Sequence, residues 1–467
     1  MKVEQIYTNC LAQGSYYIES NGEAAVIDPL RDTFHYTDLA QQSNSKIKYV
    51  FETHFHADFI SGHVTLAKIT NSEIIYGPNA NPDFSCIVAE DNQVFTIGDI
   101  SITVLHTPGH TLESSCFLLK DETGKEHCLF TGDTLFLGDV GRPDLAQKKG
   151  SITKEELAGI LYDSVNEKIK PLPGDVIIYP GHGAGSQCGK NMMKETVDTL
   201  ENQRNVNYVL NGSLSKEEFI HELTHDLQAP PKYFSANVKL NKEGYHDLSS
   251  ILKKSNRPLS AEEFDSISKE KEVVILDVRH QDDFANSHIP NSIFVGLDGG
   301  FAPWVGSVIS DVHQSLLLVV DNNRVEEAIT RLCRVGFDNV IGFLDGGIVS
   351  WKNSNKEVKS ITTITAQDFE ERIGSSESVI FDVRGAGEYQ SEHIIDAINI
   401  PLNDIGDDIF EFRVDGNNYI HCAGGYRSMI ANSILKSKGI HNLIDVKGGF
   451  SSIKSTAIPT IENMCSN

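Results

Sequence analysis

Thr53-His54-Phe55-His56-Ala57-Asp58-Phe59 follows the apolar run Ile47-Lys48-Tyr49-Val50-Phe51, and three later segments repeat that arrangement. Thr107-Pro108-Gly109-His110-Thr111 comes after Ile100 to Leu105. Phe130-Thr131-Gly132-Asp133-Thr134 closes a third apolar stretch, and Tyr179-Pro180-Gly181-His182-Gly183 follows Asp175 to Tyr179. The Val, Ile and Tyr content of these short runs, and of Gly14 to Ile18 and Ala24 to Asp28, marks them as strands. Imidazoles and carboxylates therefore collect at strand ends, where loops present function on a rigid frame. Helical stretches are expected between the strands, among them Gly189 to Asn205 with Met192, Met193, Thr196 and Val197 at helical spacing.

Beyond residue 245 the chain repeats itself. Ile275-Leu276-Asp277-Val278-Arg279 with His288-Ile289-Pro290 returns 105 residues later as Ile380-Phe381-Asp382-Val383-Arg384 with His393-Ile394. Asp345-Gly346-Gly347 returns as Lys447-Gly448-Gly449 at an offset of 102. Apolar strands alternating with helical segments (Val325 to Gly336, Ser428 to Gly439) imply a parallel α/β sheet in each copy. Lys253 to Pro258 and Asn353 to Ser360 read as linkers, so the expected domains are 1–245, 257–356 and 361–460.

A length of 467 residues agrees with several domains, and 40% hydrophobic with 22% charged residues describes folded globular ones. The net charge of −25 repels phosphate backbones and anionic lipid, which argues against nucleic acid or a membrane surface as partner. No apolar run approaches the ~18 residues of a membrane span, and residues 1–7 lack a signal-like apolar core. Eight cysteines without a CxxC pair read as reduced thiols of a cytoplasmic protein, one of them reactive.

The four ordered motifs HxHxD, TPGHT, TGDT and PGH resemble the metallo-β-lactamase fold, an αβ/βα sandwich. Dinuclear hydrolases of that fold continue HxHxD with a further His; here Phe59 stands in its place, which favours one metal over two. Persulfide dioxygenases of the same fold hold one Fe(II) per chain, and the resemblance carries that role onto His54, His110 and Asp133. Two imidazoles and one carboxylate leave positions open on an ion, the pattern of non-haem Fe(II) oxygenases; zinc is the weaker expectation. His56, Asp58 and His182 are then expected to orient the ligands or touch substrate. Gly141-Arg142-Pro143-Asp144 resembles the segment whose Arg meets a carboxylate of the thiol carrier, with a salt bridge from Arg142 to Asp144 as the plain alternative. Glutathione-using relatives carry a Tyr soon after the fourth motif, whereas Gly183-Ala184-Gly185 follows His182 here.

Tyr419-Ile420-His421-Cys422-Ala423-Gly424-Gly425-Tyr426-Arg427-Ser428 runs from a strand into a helix and puts Cys422 where a helix N-terminus favours a thiolate. Gly424 and Gly425 let successive amides curl toward the sulfur, and Arg427 adds fixed charge. The CxxGxR loop resembles that of a rhodanese. Its Cys-x4-Arg spacing is one residue tighter than the Cys-x5-Arg phosphate loop of phosphatases. Placing Leu318 to Val325 over Tyr419 to Arg427 sets Asp321 opposite Cys422, so the first copy is expected to be a degenerate rhodanese-like domain without a nucleophile. Cys333 in that copy is expected to be a structural thiol.

Together these features resemble persulfide dioxygenase and rhodanese fusions. The resemblance implies oxidation of a low-molecular-weight persulfide with O2 to sulfite, and sulfur transfer through Cys422, yielding sulfite or thiosulfate in sulfide detoxification. It is compatible with a homo-oligomer. The competing reading is a zinc thioester hydrolase resembling glyoxalase II with a sulfur-carrier tail.

Overall fold

The computed structural model describes residues 1–146, 152–225, 227, 229–270, 272–373, 378–406, 409–412 and 416–462. The chain divides into two units, Met1–Ser250 with Leu332–Gly336, and Ile251–Arg331 with Phe337–Asn467. Cys465 lies outside the described residues.

The first unit contains two six-stranded mixed sheets. One runs, in spatial order, Lys2–Thr8, Gln13–Ser20, Glu23–Ile27, Lys46–Glu52, Glu73–Tyr76 and Ile87–Val88. The other runs Asp198–Thr199, Ile177–Pro180, Glu126–Gly132, Ser115–Lys120, Ile100–His106 and Val94–Ile97. Successive side chains point to opposite faces of each sheet, and both sets are apolar, so one face packs on the other sheet and the opposite face on helices. Tyr16, Ile18, Ile27 and Phe51 of the first sheet meet Phe95, Val104, Phe117 and Phe130 of the second in the central core. Their neighbours Tyr17, Val26 and Val50 turn outward onto Tyr36 and Ala40 of the helix Phe34–Gln42 and Leu66 of the helix His63–Thr70. Leu105, Leu118, Leu129 and Ile178 pack outward on Leu161 of the helix Lys154–Ser164 and Phe219 of the helix Lys216–Thr224. The result is the expected αβ/βα sandwich.

Two local expectations differ from the structure. The helix expected from Gly189 is confined to Leu200–Val206. Asp139 Oδ2 accepts from the amides of Lys190 and Asn191, both at 2.7 Å, and a side chain that binds backbone donors in this way competes with helical pairing. Lys253 to Ser255, read as linker, form the last turn of the helix Leu248–Ser255.

The second unit holds two five-stranded parallel sheets of the same strand order. In the first copy the order is Pro258–Leu259, Val340–Leu344, Ser315–Val319, Val273–Asp277 and Ile293–Phe294. In the second it is Thr362–Ile364, Leu443–Val446, Asn417–His421, Ser378–Asp382 and Ile398–Asn399. The repeated Asp-Val-Arg does the same work twice. Arg279 forks onto Asp277 and reaches the Ser287 carbonyl, while Arg384 forks onto Asp382 and reaches the Glu392 carbonyl. Strand register corrects one alignment. Asp277 pairs with Val319 and Asp382 with His421, so Val320, not Asp321, stands where the second copy has Cys422. Cys333 is buried, as a structural thiol should be. Among the described residues no helix is long and apolar enough to cross a membrane.

Candidate metal centre and thiol loop

The ends of three strands bring His54, His110 and Asp133 into one buried group whose ligand atoms lie within 4.8 Å of one another. Asp133 Oδ2 stands 3.9 Å from His54 Nε2 and 3.6 Å from His110 Nε2. It is buried and has no hydrogen-bond partner, an expensive condition for a carboxylate oxygen unless an ion satisfies it. The far side of each imidazole is fixed, as metal-binding histidines require. His110 Nδ1 meets the Arg142 carbonyl at 2.8 Å, and His54 Nδ1 meets Thr53 Oγ1 at 2.9 Å. Thr53 in turn gives its amide and hydroxyl to the two oxygens of Asp28, both at 2.8 Å. Burial, and then the neighbouring His56, lowers His54 well below the usual imidazole range, leaving the neutral form that ligates. Two imidazole nitrogens and an orphaned carboxylate oxygen form a donor set that fits a transition-metal ion.

His182 lies behind Asp133. Its Nδ1 is 2.8 Å from Asp133 Oδ1 and its Nε2 is 2.8 Å from Asp58 Oδ2. Burial opposes charge on this ring, but the two carboxylates outweigh it and raise its pKa well above the ordinary value. Burial likewise opposes charge on Asp133, which His182 nevertheless holds below the usual carboxylate range.

His56 is outside the His54 group. Its Nε2 is 3.1 Å from Asp28 Oδ1 and 3.6 Å from Glu52 Oε2, and its ring lies 4.4 Å from that of the fully buried Phe59. His63 also lies apart, with Nδ1 3.9 Å from Glu52 Oε1 and a pKa that burial lowers to about 3. Arg142 forks onto Asp144 at 2.7 and 2.8 Å, the geometry of the plain alternative. The sequence reading missed Asp28, Glu52 and Thr53; acidic residues closing two otherwise apolar strands were the available signal. Asp58, His182 and Cys188 form a further buried group with ligand-like spacing, of which Cys188 was visible only as a cysteine near the fourth motif. Burial, followed by Asp58 and Asp133, raises the Cys188 thiol well above its usual value.

In the second unit Cys422 is buried at the end of Asn417–His421, and the Gly425 amide donates to its Sγ at 3.1 Å. Gly425 has φ +99°, so glycine is needed there. A side chain at Gly424 would meet nothing within 4 Å, so the turn itself needs only Gly425. Gly449 passes so close that a Cβ there would lie 2.3 Å from the Cys422 carbonyl. Arg427, at the start of the helix Tyr426–Ser437, forks onto Glu388 at 2.6 and 2.8 Å.

Residues 9–182 match the metallo-β-lactamase superfamily, and residues 260–354 and 365–456 each match the rhodanese-like domain. The persulfide dioxygenase ETHE1 of Mus musculus is 34% identical over 223 residues, covering 47% of this chain and 78% of that one. A hydroxyacylglutathione hydrolase of Francisella philomiragia is 31% identical over 204 residues, 44% of this chain and 74% of that one. A crystal structure of a metallo-β-lactamase from Staphylococcus aureus superposes with a TM-score of 0.65 at 30% identity, covering 74% of this chain and 98% of that one. The chain belongs to the metallo-β-lactamase superfamily and has the architecture of a persulfide dioxygenase fused to two rhodanese-like domains.

Proposed function

We propose that the first domain is a mono-iron persulfide dioxygenase and that the last is a sulfurtransferase acting through Cys422. The observation that carries the first half is the orphaned Asp133 Oδ2 facing two oriented imidazole Nε2 atoms, while His56 sits beside Asp28, Glu52 and Phe59. On this reading His54, His110 and Asp133 hold Fe(II), which supplies a site where a persulfide sulfur and O2 meet. The net reaction is R–S–SH + O2 + H2O → R–SH + H2SO3, the terminal sulfur being oxidised and O2 reduced. Thr53 and the Arg142 carbonyl orient the histidines, and His182 holds Asp133. The Arg142 fork meets a carrier carboxylate when it exchanges Asp144 for it.

In the second step the Cys422 thiolate attacks the sulfane sulfur of R–S–SH, forming its own persulfide and releasing R–SH. Sulfite then takes that sulfur as thiosulfate and returns the thiolate. The Gly425 amide and the start of the following helix stabilise the anionic sulfur at both stages. We place the domain limits at 1–245, 257–356 and 361–460, and the protein in a reducing compartment such as the cytoplasm.

Oxygen uptake by the Fe(II)-loaded chain on adding a low-molecular-weight persulfide tests the first step, with His54→Ala as control. Uptake abolished by His54→Ala is expected, and one iron per chain without uptake overturns the reading. The similarity to hydroxyacylglutathione hydrolases and the Asp58–His182–Cys188 group favour a two-metal thioester hydrolase as the second reading. Two zinc ions per chain with oxygen-independent thioester cleavage would establish it.

A further inference from the structure

The helix that begins at the Cys422 loop is anchored in the copy that lacks a nucleophile. Tyr426 is the residue directly after Gly425, whose amide meets the sulfur. Its hydroxyl donates to the Gly296 carbonyl at 2.6 Å, and its ring lies 5.9 Å from that of Phe294. It sits so close to Gly299 that a Cβ there would fall 2.4 Å from ring atoms Cε2 and Cζ. Two turns along the same helix, Ser433 Oγ accepts from the Phe294 amide at 3.0 Å in a fully buried bond. At the mouth, Gln281 Nε2 lies 3.5 Å from where a Gly425 Cβ would stand, and Asp282 pairs with Lys447 at 3.2 Å. Gln281 and Asp282 open the helix Gln281–Asn286 of the first copy.

A hydrogen bond to sulfur depends on direction, and Gly425 joins a turn whose Cys422 and Ala423 carbonyls accept from the Phe450 and Ser451 amides to a helix held by the first copy. We propose that the first rhodanese-like copy sets the geometry of the Cys422 anion loop. Tyr426 is the positioning residue, seated in a slot formed by Gly296, Gly299 and Phe294, and Gln281 walls the loop. This rests on the reading of Cys422 as the sulfur carrier. The lost nucleophile in the first copy is then immaterial, because that copy acts through the second.

The test uses the full chain with Gly299→Val, Tyr426→Ala and Tyr426→Phe. It follows the pH midpoint of Cys422 alkylation by iodoacetamide together with kcat and KM for sulfur transfer from thiosulfate to cyanide. The charged groups around the thiol, Arg427 with Glu388, Asp382 with Arg384 and His421, and Asp445 beneath the same helix, belong to the second copy, and Lys447 keeps Asp282; none is altered. Gly299→Val and Tyr426→Ala are expected to raise the alkylation midpoint by about one pH unit and lower kcat about tenfold at little-changed KM. Tyr426→Phe, which keeps the ring, stays within about threefold of the parent kcat. An unchanged midpoint and kcat in Tyr426→Ala overturns the proposal, and that variant decides the matter if Gly299→Val does not fold. Alkylation reports the loop whatever its substrate, so a parent chain whose midpoint moves in Tyr426→Ala but which transfers no sulfur overturns only the functional reading.

Discussion

Val320 of the first rhodanese-like copy stands where the second copy carries Cys422. Val319 and His421 occupy the same register against Asp277 and Asp382. The two chain paths part immediately afterwards. After Val320 comes Asp321 and the short 3-10 turn Asn322–Arg324, whereas Cys422 leads into a turn whose Gly425 amide points at sulfur. Restoring the atom alone should therefore not restore the chemistry. In Val320→Cys combined with Cys422→Ser, mass spectrometry after exposure to thiosulfate is expected to find no persulfide at residue 320.

Thr53 links Asp28 to His54 through its hydroxyl. Thr53→Val keeps the shape and removes that link, leaving the imidazole without an orienting partner. Metal affinity, followed by competition with a chelator, is expected to fall about 10- to 100-fold, the usual cost of losing such a partner.

Burial pushes the Asp445 carboxyl up to about 7, against a weaker opposing hydrogen bond from Ser428. The folded state therefore holds a proton between about pH 4 and pH 7 that the unfolded chain has released, and stability contributed by this group is lost as pH rises through that window. Asp445→Asn is expected to flatten the decline. At pH 8 it should gain on the order of 2–4 kcal/mol relative to the parent, readable from urea unfolding at pH 5 and pH 8.

Arg384 is buried on Asp382 and also binds the Glu392 carbonyl. Arg384→Met leaves a buried carboxylate unpaired and should cost roughly 3–5 kcal/mol. Arg279→Met should do the same in the first copy. Thermal unfolding of the two variants checks the equivalence.

Much of this was legible from residues alone. Strand ends carrying His54, His110, Asp133 and His182 could be read because apolar runs and turn residues bracket them, and the repeat was visible because Asp-Val-Arg recurs. The position opposite Cys422 was misread by one residue, because the connection leading to that strand differs in length between the copies, the offset falling from 105 at Asp277 and Asp382 to 102 at Val319 and His421, and only strand pairing fixes the register. Asp28 and Glu52 offered only the hint of acidic residues closing two strands, since their part is defined by contacts with His56 that form once the chain folds. The chain before Leu200 escaped helix formation through a distant carboxylate, Asp139, which no local pattern reveals.

The two Asp–Arg forks amount to an experiment already run inside one chain. One copy has no sulfur to handle and the other has Cys422, yet both retain the same fork and the same sheet order. A feature that outlives the loss of catalysis belongs to architecture. An inventory of sulfur-transferring domains compiled from Asp-Val-Arg would therefore count this chain twice, and one compiled from the Cys422 turn would count it once.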